Sequence, residues 1–193
     1  HGGSGGPLRL YYPANYRDPV NTLPTVCFLC TGNAARSVMA RAMFAQRSDG
    51  YRAIGAGTLV LEGLPMSHRT RTAMAAHGLT DPDHRSRQFG IDHVDVDLVV
   101  AMEPAHIAWI RRNYPTVSWR TATFPRLVRD LPTPDAGDLG TRLASMGLAK
   151  IEVGDWEEVV DPASGDQIDF DNCAATLDRL VDKLVERLGP GPV

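Results

Sequence analysis

With 193 residues, 43% hydrophobic and 22% charged, the chain is long enough for one domain with a sizeable core. Its net charge of −3 gives no general attraction to nucleic acid or an anionic membrane, and no apolar run approaches the roughly 20 residues of a membrane-crossing helix. Three irregularly placed cysteines do not make a disulfide framework, so a reducing, cytoplasmic setting is expected.

Residues 1–6 read as an expression-tag remnant. Residues 7–24 read as an irregular N-terminal arm, broken by Pro13, Asn15, Pro19 and Asn21 and carrying Tyr11, Tyr12 and Tyr16. The apolar run 25–30 is bounded by turn residues, as a buried parallel strand is, and 37–47 has the spacing of a helix. A second short strand is expected over 51–57. A helix follows over 65–77, with Gly78 placed to stop it. Residues 81–87 form a polar loop containing His84, and no other Cys or His lies at metal-ligand spacing from it, so no metal is expected. Strands are expected over 97–102 and 117–124. Between them Glu103-Pro104 opens a helix running to Asn113. From 125 to 160 the pattern weakens into an extended loop region with one short helix near 141–146. Leu177, Leu180, Val181, Leu184, Val185 and Leu188 then keep helical spacing until Gly189-Pro190. Strands and helices alternate, which predicts an α/β fold: an open four-stranded parallel sheet, doubly wound with helices on both faces, in one domain over 25–189.

The chemistry concentrates at the end of the first strand. Cys30 is followed by Thr31, Gly32, Asn33, Ala34 and Ala35, then by Arg36 and Ser37 at the start of a helix. Gly and Asn are the residue types that most readily take a left-handed backbone. A loop of this kind turns amide groups inward, and the helix N-terminus adds positive potential, so the pair makes an anion cup. Arg36 offers a planar fork to two oxygens of a bound oxyanion. The pattern C-x5-R-S therefore reads as a nucleophile beneath a phosphate-sized anion. Attack on a phosphate ester expels an alkoxide that needs a proton, so a carboxylic acid should stand nearby. Asp161 in Val159-Val160-Asp161-Pro162, where proline fixes the backbone just after it, is the candidate for that part, with Asp155, Asp166 and Asp169 as alternatives and a plain Asp-Pro turn as the competing reading.

Taken together, these segments resemble the low-molecular-weight protein tyrosine phosphatases. The run 30–40 is similar to that family's nucleophile loop, 55–58 to its Ser-Ala-Gly-Thr stretch, 63–66 with Arg69 to its next helix start, 84–88 to its His-x-Ala-Arg-Gln segment and 97–103 to its third strand. Asp161-Pro162 precedes the last helix, where the family keeps its general acid. The resemblance implies two-step hydrolysis without metal or organic cofactor, acting on a phosphorylated protein or small aryl phosphate. Cys30 would attack and Arg36 and the loop amides would hold the phosphoryl oxygens. Asp161 would serve as acid and then base. Ser37 would support the thiolate, and Asn33, backed by His84, would hold the loop. Departures from the family pattern are Gly55 for serine, Glu103 for aspartate, Ala35 where many members carry a second cysteine, and Ala163-Ser164 where tyrosines often follow Asp-Pro.

Two other readings compete. Related arsenate reductases share the nucleophile loop but need a resolving thiol, from the protein or from a small-molecule partner, and the second source stays open on sequence. Cys27-Phe28-Leu29-Cys30 has redox spacing, yet on a strand the two residues lie ~10 Å apart on opposite faces, whereas a disulfide needs α-carbons within ~7 Å. A non-catalytic module that binds phosphate or another oxyanion is the third reading. In that case the acid loop would be folded away from Cys30.

Overall fold

The computed structural model describes residues 23–191; the expected tag remnant and most of the expected arm lie outside them. Four parallel strands, β1 (Thr25–Cys30), β2 (Arg52–Gly57), β3 (Leu98–Ala101) and β4 (Thr121–Thr123), form one sheet in the order β2-β1-β3-β4. Every residue of β1 is buried, because the strand is central and covered on both faces. Its alternation divides the core. Val26, Phe28 and Cys30 face one side, where α1 (Arg36–Arg47) supplies Met39, Met43 and Phe44 and α6 (Gln167–Leu188) supplies Leu177, Val181 and Leu184. Cys27 and Leu29 face the other side, with Val99 of β3, Phe89 and Ile110 of α3 (Pro104–Asn113). Order and helix placement are those of a doubly wound α/β fold. The crevice in such a sheet opens where the winding reverses, beyond the carboxyl ends of β1 and β3. Cys30 and Glu103 stand at those two ends. Among the described residues no helix is long and apolar enough to cross a membrane.

Several elements differ from the reading of the sequence. The expected strand over 117–124 is mostly a 3-10 helix at Pro115–Arg120, and only Thr121–Thr123 pair with β3. Pro115 opens those turns, and the hydroxyls of Ser118 and Thr121 donate back to the carbonyls of Pro115 and Val117. Phe124 begins a helix, α4 (Phe124–Asp130), with Pro125 in its first turn, where a missing N–H costs nothing. The stretch 125–160 is therefore not an extended loop. Besides α4 it holds 3-10 turns at Pro134–Ala136 and Asp155–Glu157 and a helix α5 (Leu139–Ser145), capped by Asp138 accepting from the Thr141 amide at 2.7 Å. α2 (His68–Ala76) starts three residues later than expected, because the Ser67 side chain caps it by accepting from Thr70 N. α6 begins ten residues before its clear leucine period, with the Asp169 carboxylate accepting from the Asp166 amide at 2.8 Å.

Candidate active site

The loop between β1 and α1 is held from behind by β2 and by the segment 84–88. Amides of Thr58 and Leu59 donate to the carbonyls of Cys30 and Thr31, each at 3.0 Å. Gly57 makes this close approach possible, since a Cβ there would lie 2.5 Å from Thr31 O. Of the two residues expected to turn left-handed only Asn33 does so, at φ +49°. Its peptide and side chain are gripped at four points. Asn33 O accepts from His84 Nε2 (2.8 Å) and Ser86 Oγ (2.9 Å), and Asn33 Oδ1 accepts from Arg87 N (3.0 Å). Asn33 Nδ2 donates to Ser37 Oγ at 2.9 Å. Burial pushes the His84 imidazole below its ordinary range, consistent with a neutral ring donating from Nε2. Gly55 belongs to this arrangement too: a Cβ there would come within 3.0 Å of Asn33 Nδ2. The amide of Arg87 occupies Asn33 Oδ1 without any help from a side chain at 55.

Ser37 Oγ lies 3.0 Å from Cys30 Sγ. Because Asn33 donates to the serine oxygen, the Ser37 hydroxyl proton is free to point at the sulfur, which is the arrangement that stabilises a thiolate. The N-terminus of α1 has no side-chain cap and no acidic residue in its first turn, so its positive end faces the same place. The remaining loop residues, Thr31, Gly32, Ala34 and Ala35, complete the turn from β1 into α1. Ala34 O is fixed by Thr70 Oγ1 of α2 at 2.9 Å.

Arg36 is 1% exposed and both of its terminal nitrogens are engaged. Nη1 donates to Glu103 Oε2 and, at 3.0 Å, to the carbonyl of Val159; Nη2 donates to Asp161 Oδ2 at 2.5 Å. Burial works against the guanidinium charge, but Glu103, Asp161 and Cys30 more than offset it and hold the group firmly charged. Asp161 reaches the site on a segment fastened by Val159 N donating to Met102 O at 2.7 Å, just past β3. Its other oxygen accepts from Ala163 N at 3.0 Å, and its side chain is 41% exposed. Cys30, Ser37, Asn33 and His84 thus form one hydrogen-bonded chain, and Arg36 with Asp161 a second beside it, assembled from three parts of the sequence.

Sequence reasoning passed over His106. It sits on the first turn of α3, 2% exposed, with Nε2 3.1 Å from Thr31 Oγ1 and 3.7 Å from Glu103 Oε1. Burial, helped by Arg36, pushes its imidazole down to about 4 against the opposing pull of Glu103 and Asp161. Its place just beyond a strand's carboxyl end was the available signal. Cys27 points to the opposite face from Cys30, and burial drives its thiol far up. Cys173 on α6 is likewise pushed up to about 12 by burial. Among the described residues no three His, Cys, Asp or Glu side chains converge where a metal would sit.

Residues 25–130 match the model of the low molecular weight phosphotyrosine protein phosphatase family. The chain belongs to that family. A low molecular weight protein-tyrosine-phosphatase of Streptomyces coelicolor is 39% identical over 126 residues, 59% of this chain and 73% of that protein. Phosphatase A of Mycobacterium tuberculosis is 38% identical over 94 residues, which span 45% of this chain and 57% of that one. Among solved structures, the YwlE arginine phosphatase from Geobacillus stearothermophilus superposes with a TM-score of 0.69 at 26% identity, covering 86% of this chain and 92% of its own. A low molecular weight protein tyrosine phosphatase from T. tengcongensis gives 0.68 at 26%, covering 86% and 99%. This phosphatase is accordingly a cysteine-dependent hydrolase of phosphomonoesters that works through a phosphocysteine. The family match includes the C-x5-R-S loop and ends before Asp161.

Proposed function

We propose that this phosphatase hydrolyses aryl phosphates, phosphotyrosine in proteins among them, with Cys30 as nucleophile, Arg36 as phosphate clamp and Asp161 as acid and base. The arriving dianion takes Nη2 of Arg36 from Asp161, and the released carboxylate takes up a proton from water beside the leaving oxygen. The Cys30 thiolate attacks phosphorus. As the bond to the leaving oxygen breaks, Asp161 gives that oxygen its proton. Water then attacks the phosphocysteine, Asp161 takes a proton from it, and the S–P bond breaks to return the thiolate and inorganic phosphate. Arg36 and the loop amides, fixed before reaction, hold the charge on the transferring group. Ser37 eases departure of the thiolate in the second step. A reducing, cytoplasmic compartment suits such a thiolate.

The observation that carries the reading is the Arg36–Asp161 bond. It ties the acid loop to the nucleophile loop across 125 residues of sequence. A module that only traps anions has no use for a carboxylate there. The large apolar side chains exposed on the loop after β2 and beside the acid are aliphatic: Leu59, Leu61, Leu64 and Val160 are all at least half exposed. Apolar walls without tyrosines fit a phosphorylated aromatic ring less selectively, so a substrate panel should include phosphotyrosine peptide, 4-nitrophenyl phosphate, an alkyl phosphate and phosphoarginine, the last because one structural relative is an arginine phosphatase. Cys30→Ser should abolish turnover on all of them. Asp161→Asn should cost about 10²–10⁴-fold on the alkyl phosphate and far less on 4-nitrophenyl phosphate. Equal activity of Asp161→Asn and wild type on the alkyl ester would remove Asp161 from the acid role.

A further inference from the structure

The stretch 125–160 ends in a buried charge cluster that the reaction scheme does not use. Glu157 is fully buried, yet its carboxylate accepts four hydrogen bonds. Thr123 Oγ1 donates at 2.5 Å, Arg126 Nε at 2.7 Å and Gly154 N at 2.8 Å, and Arg126 Nη2 adds the fourth. Arg126 is itself only 7% exposed and also donates to Glu152 O at 2.9 Å. Next to Glu157, Trp156 lies under the guanidinium of Arg129, 3.7 Å from its ring centroid, with Arg126 at 5.4 Å. Thr123 closes β4 and Arg126 belongs to α4, so the cluster fastens the chain to the carboxyl edge of the sheet.

A buried ion pair is costly in desolvation, and an apolar pair of similar volume usually serves stability as well. The position of this one is informative. Two residues on, Val159 is bonded through both its amide and its carbonyl, to Met102 and Arg36. Two residues further stands Asp161, beyond an exposed Val160. On its far side a cavity of about 540 Å³ separates the loop from α6, lined by Asp161, Pro162, Ser164, Asn172 and Cys173 among others. Of residues 161–164 only Pro162 is buried. The anchored side, by contrast, holds the chain through hydrogen bonds at Glu157 and Val159.

We infer that Glu157 and Arg126 are positioning residues for the acid loop: their buried pair, with Thr123, sets where Asp161 stands relative to the leaving oxygen. The inference rests on Asp161 being the acid. It also gives the extended segment before Asp161 a purpose, since α4 and the turn at Asp155–Glu157 supply both halves of the anchor.

The test is leaving-group dependence, which loss of fold alone would not change. Turnover of 4-nitrophenyl phosphate and of an alkyl phosphate is compared for wild type, Glu157→Gln, Thr123→Val and Asp161→Asn. Glu157→Gln is expected to lose about 10-fold or more on the alkyl ester, which needs the acid, and less than about 3-fold on the nitrophenyl ester. Thr123→Val removes one hydrogen bond and leaves the charges paired. It should shift the ratio the same way by a smaller factor, and it decides the matter where Glu157→Gln does not fold. Equal losses on both esters, or an unchanged ratio in the folded variants while Asp161→Asn responds strongly, would overturn the inference alone. An Asp161→Asn variant indifferent to the leaving group would overturn the acid assignment and this inference with it.

Discussion

At the scale of single residues the site is a chain of donors with one direction. Asn33 donates to Ser37 and Ser37 is left to donate to Cys30. Hydrogen bonds to charged groups contribute about 1.5–3 kcal/mol, so Ser37→Ala should slow turnover roughly 10- to 100-fold. The loss should fall mainly on the second step, where thiolate is the leaving group. Rapid mixing should then show a burst of phenol followed by a slower steady state, and a variant with no burst and a normal rate would contradict the direction of the chain. His106 makes a second prediction. Its pKa in the fold, about 4, lies below the ordinary histidine value of 6.5, so the unfolded chain binds more protons between those limits. Stability contributed by the neutral ring is complete above 6.5 and is lost as pH falls toward 4, by about 3 kcal/mol as an order of magnitude. Denaturant unfolding at several pH values should show that slope in wild type and a flatter one in His106→Gln. Cys30, Arg36 and Ser37 were legible because their chemistry needs them at fixed local spacing. His106 was not, because its place beyond the end of β3 is a weak signal that does not single out Thr31 as its partner.

The elements explain how distant residues meet, and also where the sequence was hard to read. Long helices with one consistent face, α1 and the second half of α6, were legible because burial writes their period into the chain, and β1 because burial on both faces makes it a short apolar run. α4 and α5 have seven residues each and too few turns to show a period. They are held instead by tertiary hydrogen bonds, such as those from Arg142 of α5 to the carbonyls of Pro132, Arg187 and Leu188. Pro125 was read as the start of a loop, although the same residue type suits a first helical turn. The acid loop carries the prediction that belongs at this scale. Asp161 occupies Nη2 of Arg36, the nitrogen that the proposed scheme gives to phosphate. Removing its charge should free that nitrogen and lessen repulsion of the dianion. Calorimetric titration should therefore find inorganic phosphate bound more tightly by Asp161→Asn than by wild type, even as turnover falls. Equal or weaker binding would mean that the two carboxylate and phosphate positions do not compete.

For the whole molecule, the order β2-β1-β3-β4 puts the nucleophile strand in the centre and leaves its carboxyl end at the reversal of winding. The alternation of strands and helices was enough to predict that architecture. The sequence could not show how a segment more than 120 residues away would return to β3 and lay Asp161 on Arg36. That return is held by a few bonds, at Met102, Arg36 and Glu157, between residues with no local pattern in common. The family match covers the nucleophile half of this arrangement, while the acid half rests on geometry. The claim on which all the rest depends is that Cys30 carries the phosphoryl group. Its most direct test is acid quenching during turnover of an aryl phosphate, followed by mass analysis of the peptide containing Cys30, with Cys30→Ala beside wild type. A single phosphoryl group on that peptide, present only in wild type and discharged when substrate is exhausted, is the predicted result. Turnover without label on Cys30, or turnover that survives in Cys30→Ala, would contradict it.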